Sequence, residues 1–166
     1  MDEKYLIFTV REKQYALPSK IISEVAALER VFPLPLVPDY VRGLINRYSV
    51  PYALIDICFL LFSEKTETVN APAGERAAEP YARPRAENLL RKVIVLKEEV
   101  DRLAFLIDDV TDIADLPPDQ LMKIEQEETA VAGLISAFFE WKNNQVFCLE
   151  TAEIINRIKK DFERDV

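Results

Sequence analysis

Apolar positions in this chain fall in short runs separated by charged residues, prolines or turn residues, and most runs have the composition of β-strands. The first run, Tyr5 to Val10, consists mainly of aromatic and branched residues, and a charged turn at 11–13 leads to a second run. The pattern predicts three hairpins, with strands at 5–10 and 14–17, at 91–96 and 103–108, and at 130–140 and 144–149.

Two further segments leave the choice between strand and helix open. Residues 21–28 follow Pro18 and begin with β-branched residues, which favours a turn and then a strand, whereas 108–116 has spacings that suit either element. One long helix is predicted after Thr151, as its cap, with apolar residues at 154, 155, 158 and 162. Many short strands and one terminal helix predict a mostly β, barrel-like architecture.

The stretch from Pro38 to Leu61 carries the most information. It predicts a turn at Pro38-Asp39 with Asp39 as a short N-cap, strands at 44–46 and 52–55, and a buried helical turn after Asp56. The chain has only 3 glycines, so Gly43 indicates a backbone need: a positive φ or a close approach by another segment.

A second copy of this pattern lies near the C-terminus. Val131–Ser136 resembles Val41–Asn46, and Val146–Glu150 resembles Tyr52–Asp56. The order glycine, strand, turn, strand, acid and helix therefore occurs twice, about ninety residues apart, and it predicts a structural duplication. Between the copies, residues 63–90 contain prolines and alternating Glu and Arg without a hydrophobic period, and we expect a flexible inserted loop within a single domain at 1–166.

The composition is globular, and it excludes several classes of partner. The chain has 166 residues, 49% of them hydrophobic, and a net charge of -8, which disfavours nucleic-acid and anionic membrane surfaces. The N-terminus enters a strand at once, without a secretory segment, and no apolar run is long enough to span a membrane. We expect a cytoplasmic protein in which Cys58 and Cys148 are buried and reduced.

Residues for catalysis are scarce. The chain has no histidine, no glycine-rich phosphate loop and no Gly-x-Ser-x-Gly elbow. The acidic clusters at 108–115 and 125–128 could suit a hard cation, but they lack the spacing and turn glycine of a calcium loop, and a solvated face is preferred. We expect no catalytic residue, cofactor or metal, with a small acidic metal-dependent enzyme as the weaker alternative.

A binding module remains, and the region around Gly43 is the candidate docking patch. Arg42, Arg47 and Tyr48 lie beside apolar strands there. Arginine and tyrosine are favoured anchors at interfaces because they combine large contact area with a polar end.

Several segments together resemble the CheW-like adaptor domain of bacterial chemosensory systems over nearly the whole chain. The matching segments are Tyr5–Val10 with Tyr15–Leu17, Ile22–Val25, Pro38–Asn46, Leu54–Ile57, Leu106–Ile113 and the hairpin and helix after Gly133. The resemblance implies two intertwined five-stranded β-barrel subdomains with a hydrophobic groove between them. It implies a non-enzymatic scaffold that couples chemoreceptor tips to the regulatory domain of a CheA-type histidine kinase.

The resemblance also implies contact positions, at Ile22 and Glu24 on the third strand and at Arg42 and Gly43 before the fourth. The family's usual Asn-Leu-Arg-Gly run is altered here, because Arg47 stands where leucine is expected and Tyr48 where the functional arginine is expected. The expected partner-binding set is therefore Ile22, Glu24, Arg42, Gly43, Arg47 and Tyr48. The alternative is a stand-alone regulatory or structural β-domain that kept the fold and lost the kinase and receptor contacts.

Overall fold

Strands and helices follow the sequence pattern closely in the structure, a computed structural model that describes residues 2–62, 91–124 and 133–164. The expected loop at 63–90, the start of the third hairpin at 130–132 and the acidic cluster at 125–128 lie outside the described residues. The strands are β1 Glu3–Val10, β2 Lys13–Pro18, β3 Ile22–Ala27, β4 Val41–Arg47, β5 Val50–Asp56, β6 Lys92–Leu96, β7 Leu103–Ile107, β8 Asp109–Leu116, β9 Met122–Lys123, β10 Ile135–Trp141 and β11 Asn144–Leu149. The helices are α1 Ile57–Phe62 and α2 Thr151–Arg164.

Both ambiguous segments are strands. Ser19–Ile21 forms a 3₁₀ turn that leads into β3, and the 108–116 segment is β8. The expectation that Asp39 caps a helix is wrong: Pro38 to Val41 is a turn closed by a 2.9 Å hydrogen bond from the Val41 N–H to the Pro38 carbonyl, and β4 follows it. The extended segment fixed by the prolines enters β4 directly, so no helix begins there.

Three of the hairpins turn on two residues that both have positive φ. These are Arg11-Glu12 (51° and 66°), Tyr48-Ser49 (52° and 66°) and Lys142-Asn143 (49° and 67°). Such turns match the right-handed twist of the flanking strands, and they are shorter than the charged or proline-containing turns that the sequence indicates.

The chain divides into two compact units, each built on one sheet. Met1–Ile22 with Asp108–Val166 contains the sheet β8-β1-β2-β11-β10-β9, and Ser23–Ile107 contains the sheet β3-β6-β7-β5-β4. The expectation of two five-stranded barrels needs one correction, because the first sheet has a sixth strand, the two-residue β9, and neither ladder of described strands closes on itself.

The strand orders confirm the duplication. In one sheet the β1–β2 hairpin pairs through β2, in parallel, with β11, and in the other the β6–β7 hairpin pairs through β7, in parallel, with β5. The first copy comprises β1 to β5 with α1, and the second comprises β6, β7, β8, β10 and β11 with α2. The third strand of each copy, β3 or β8, leaves its own hairpin and lies beside the hairpin of the other copy. Each sheet therefore contains strands from both copies, and this makes the fold intertwined.

Each unit has its own apolar core. In the first, Tyr5, Ile7, Phe139 and Cys148 pack together, and in the second, Tyr52, Leu54, Val93 and Leu106 do so, each with further residues. Burial raises the pKa of Cys148 to about 12, and nearby carboxylates of Glu3 and Glu150 add to the shift.

The expectation that both cysteines are buried holds for Cys148 and is wrong for Cys58. It lies on α1 and is only half-buried, because the six-residue helix covers its unit with Ile57, Leu60 and Leu61 and leaves the intervening positions nearer the surface. None of the helices in the described ranges is long and apolar enough to cross a membrane.

Candidate functional site

Of the expected contact residues, the structure brings together Glu24, Arg47 and Tyr48 and places the others differently. Ile22 opens β3 and is half-buried. Glu24 follows on the same strand, whereas Arg47 and Tyr48 lie where β4 meets its hairpin turn. Because β3 and β4 are the two edge strands of their sheet, a contact between them joins opposite edges.

Arg47 makes that contact. Its Nε donates to Glu24 Oε1 at 2.6 Å, its Nη2 approaches the same oxygen, and its Nη1 lies 3.7 Å from Glu29 Oε1. Burial alone would lower the pKa of Arg47, but the hydrogen bond and charge of Glu24 outweigh it and raise the pKa. The Arg47 side chain is only 20% exposed and its guanidinium is paired with Glu24, so it is not free to bind a partner.

Tyr48 completes this group from the outside. The residue is 84% exposed, its ring stacks under Arg47 with 5.5 Å from Cζ to the ring centroid, and its hydroxyl donates to Glu24 Oε2 at 3.4 Å. We call Glu24, Arg47 and Tyr48 the β3–β4 clasp. The clasp places an aromatic ring at the surface.

Gly43 has both of the properties that its position indicated. Its φ is +141°, and a Cβ built there would lie 2.2 Å from the carbonyl oxygen of Phe32. Phe32 and Leu44 exchange two backbone hydrogen bonds of 2.7 Å, which bring the segment after β3 against β4. Gly43 is buried, and its role in the structure is to admit that segment.

Arg42 is engaged by a buried acid. Its Nε donates to Asp56 Oδ2 at 3.0 Å, and Arg91 Nη2 lies 3.6 Å from Asp56 Oδ1. Asp56 is 1% exposed, and its Oδ1 also accepts from the N–H groups of Cys58 and Phe59, which caps α1. Arg42 Cζ lies 4.7 Å from the centroid of the Phe59 ring, so its guanidinium is held on two sides.

Beside the clasp lies a pocket that the sequence did not indicate. It has a volume of about 180 Å³, and its lining consists of Ala26, Ala27, Glu29, Arg30, Phe32, Ile45, Asn46, Arg47, Val93 and Val95. At its rim, Arg30 Cζ stacks 4.9 Å from the centroid of the Phe32 ring, which is 43% exposed. The spacing of Arg30 and Phe32 could have predicted their contact, because alternate residues of an extended segment share a face.

The first unit contains a counterpart of the clasp. Asp112 on β8 accepts at Oδ2 from Trp141 Nε1 at 2.8 Å and pairs with Lys142 Nζ at 2.7 Å. Trp141 ends β10 as Arg47 ends β4, and Lys142 opens the turn as Tyr48 does. The hydrogen bonds from Lys142, Trp141 and the Ile113 N–H lower the pKa of Asp112 to about 2. We call Asp112, Trp141 and Lys142 the β8–β10 clasp.

Comparison with known proteins adds a family and a fold. A model of the CheW-like domain matches residues 4–159. The structure is similar to the crystal structure of the scaffolding protein TtCheW from Thermoanaerobacter tengcongensis, with a TM-score of 0.71 and 14% sequence identity over 90% of each chain. At this identity the likeness concerns the fold. A search of curated protein sequences found no match.

Proposed function

The chain belongs to the CheW-like domain family, and from that premise we propose that it couples chemoreceptors to a CheA-type histidine kinase in a chemosensory array. In this role it is a non-enzymatic cytoplasmic scaffold of chemotaxis signalling. Its partners are the regulatory domain of the kinase, which has the same fold, and the cytoplasmic tips of the receptors. The net charge of -8 and the absence of a membrane-spanning helix from the described ranges support protein partners over nucleic acid or lipid.

The exposed ring of Tyr48 is the observation that supports a particular face as the partner-binding surface. An aromatic side chain that is 84% exposed loses water on docking, and Tyr48 already contacts Arg47 and Glu24 at this face. Tyrosines in such positions are frequent hot spots, where truncation costs about 2 kcal/mol or more. We infer that Tyr48 takes the place of the arginine that the family has at this point.

The test is calorimetric titration of the kinase regulatory domain, and separately of a soluble receptor-tip fragment, into wild type and Tyr48→Ala. We expect Tyr48→Ala to weaken binding of at least one partner by about thirtyfold. Phe162→Ala is the matched control, since Phe162 is another exposed aromatic, 36% accessible, on α2 in the first unit. Wild-type protein that binds neither partner would favour the stand-alone domain.

Arg47 gives a second prediction for the same face. Because Arg47 pairs with Glu24 while Tyr48 points outward, we expect Arg47→Ala to lower stability by about 1–2 kcal/mol, and Tyr48→Ala to change it by less than about 0.5 kcal/mol. Urea unfolding measures both variants, and adding Glu24→Ala and the Glu24→Ala, Arg47→Ala double variant completes the cycle that gives the coupling energy of the pair. Stronger loss of partner binding in Arg47→Ala at unchanged stability would assign the contact to Arg47.

A further inference from the structure

We propose that the pocket beside the β3–β4 clasp receives two neighbouring side chains of a protein partner, a carboxylate at Arg30 and an aliphatic side chain against the apolar residues of its lining. The chemistry of the occupant follows from the pocket itself. Its identification with the kinase or the receptor rests on the proposed function.

The pocket is of the right size for one side chain, and six of its ten lining residues are apolar. Ile45, Val93 and Val95 come from the core of the unit and are 5% exposed or less, and Ala26 and Ala27 come from β3. A volume of about 180 Å³ accommodates a leucine, isoleucine or methionine side chain. A side chain that enters the pocket covers Ala27, which is exposed, and the Phe32 ring, which is 43% exposed, and removing this apolar surface from water favours docking.

Arg30 supplies the charged half of the site. Within the described ranges, no carboxylate lies within ion-pair distance of Arg30, whereas Arg42 pairs with one carboxylate and Arg47 with two. Arg30 is exposed, and its Cζ lies 4.9 Å from the centroid of the Phe32 ring. A planar guanidinium in this state favours bidentate binding of a carboxylate.

Phe32 is anchored through its backbone, and the acid at the rim has a partner of its own. Two backbone hydrogen bonds of 2.7 Å hold Phe32 on β4, so the backbone that carries the ring beside Arg30 is in place before a partner arrives. Glu29 lies at the rim as well, but its carboxylate faces Arg47 at 3.7 Å. One guanidinium binds one carboxylate in bidentate geometry, so a single carboxylate is the anion that fits Arg30.

An extended partner segment meets both requirements when its acid and aliphatic residue are two positions apart, because side chains i and i+2 of a strand share a face. The first experiment therefore uses three capped eight-residue peptides with a central Glu-Thr-Leu, Lys-Thr-Leu or Glu-Thr-Ser. Each is titrated to millimolar concentration into the ¹⁵N-labelled full-length chain. Amide shifts of Arg30, Asn46 and Val93 are followed.

We expect the Glu-Thr-Leu peptide to shift these amides and to bind about tenfold more tightly than either control peptide, a difference of about 1.4 kcal/mol. Arg30→Ala should abolish the preference for Glu over Lys, and Arg30→Lys should retain part of it. Ala27→Leu, which fills the pocket from an exposed position, should abolish the preference for Leu over Ser. Equal binding of all three peptides, or no shift with any of them, would overturn the proposal.

A second experiment separates this site from the proposed function. Arg30→Ala and Ala27→Leu are titrated with the kinase regulatory domain and the receptor-tip fragment, beside Arg102→Ala as a control at an exposed arginine of the same unit. We expect a loss of about tenfold for the first two and none for the control. If Tyr48→Ala weakens binding and the pocket variants do not, the pocket proposal fails and the scaffold function stands.

The reverse outcome is equally informative. Selective binding of the Glu-Thr-Leu peptide by a chain that binds neither the kinase domain nor the receptor tip would support the pocket and refute the scaffold function. Thermal unfolding of each variant confirms folding, and the comparison of three peptides on wild-type protein decides the matter without any variant.

Discussion

Gly43 and Asp56 hold the segment from β4 to α1 in place by different means. Gly43 permits a bulged strand with φ of +141° to meet the Phe32 backbone, whereas Asp56 neutralises Arg42 and caps α1 from a position that is 1% exposed. A buried carboxylate is tolerated when it is paired and hydrogen-bonded, and Asp56 has both kinds of partner. Gly43 lies on β4, which ends in Arg47 of the β3–β4 clasp, and Asp56 ends β5, which pairs with β4.

Gly43→Ala tests the close approach. A methyl group 2.2 Å from the Phe32 carbonyl oxygen must displace backbone, and the positive φ adds strain, so we expect a loss of about 3 kcal/mol or more in the free energy of unfolding. Gly133→Ala is the matched control, because its φ is +85° but the nearest atom to a new Cβ lies at 3.8 Å, and it should lose only about 1 kcal/mol. Urea unfolding measures both, and equal losses would contradict the steric account.

The two cysteines should differ in their reaction with a thiol reagent. Cys148 is 5% exposed and burial raises its pKa to about 12, so its thiolate is scarce at neutral pH, whereas Cys58 is half-buried on a short helix. We expect one thiol to react in the native state and two after unfolding in urea. Cys58→Ser should abolish the native reaction, and native labelling that persists in this variant would show that the core around Cys148 opens.

At the scale of elements, the two clasps perform the same task in the two copies. Each joins an acid on the third strand to the last residue before a hairpin turn and to the first residue of that turn. The chemistry differs, since an arginine and a tyrosine serve one copy and a tryptophan and a lysine serve the other. In the second unit the clasp joins both edge strands of the sheet, whereas in the first it joins the edge strand β8 to β10, the neighbour of the two-residue edge strand β9.

The pH dependence of stability tests the β8–β10 clasp. The folded pKa of Asp112, about 2, lies below the value of about 3.9 expected in the unfolded chain, so its contribution is complete above about pH 4 and disappears as the pH falls through about 2. We expect the stability difference between wild type and Asp112→Asn to be constant from pH 7 to pH 5 and to shrink below pH 4. Urea unfolding followed by the fluorescence of Trp141, the only tryptophan, measures it.

Asp115→Asn is the control on the same strand, at an exposed position. Its difference from wild type should not show the same decrease. An Asp112→Asn difference that stayed constant down to pH 2 would mean that the carboxylate of Asp112 is not held by Trp141 and Lys142.

At the scale of the whole molecule, local pattern was sufficient for most strands, the terminal helix and the duplication, and it was insufficient for β9 and for the contacts. Runs of β-branched residues identify β1 and β6, and the repeated order of elements anticipates the two related halves. The clasps could not be predicted, because Glu24 and Arg47 meet only when a sheet of particular strand order brings its edges together. Arg30 was missed for the same reason, since its pocket contains residues from β3, β4 and β6.

The segment between the two copies yields the last prediction. Residues 63–90 lie outside the described structure, and their sequence has prolines and alternating charges without an apolar period, so we expect them to be dispensable for folding. Replacing 66–88 by about five Gly and Ser residues changes the loop-closure free energy by no more than about 1 kcal/mol. The melting temperature should therefore stay within about 5 °C of wild type. A larger loss would show that this segment packs on the domain, and unchanged partner titrations would show that it also plays no part in docking.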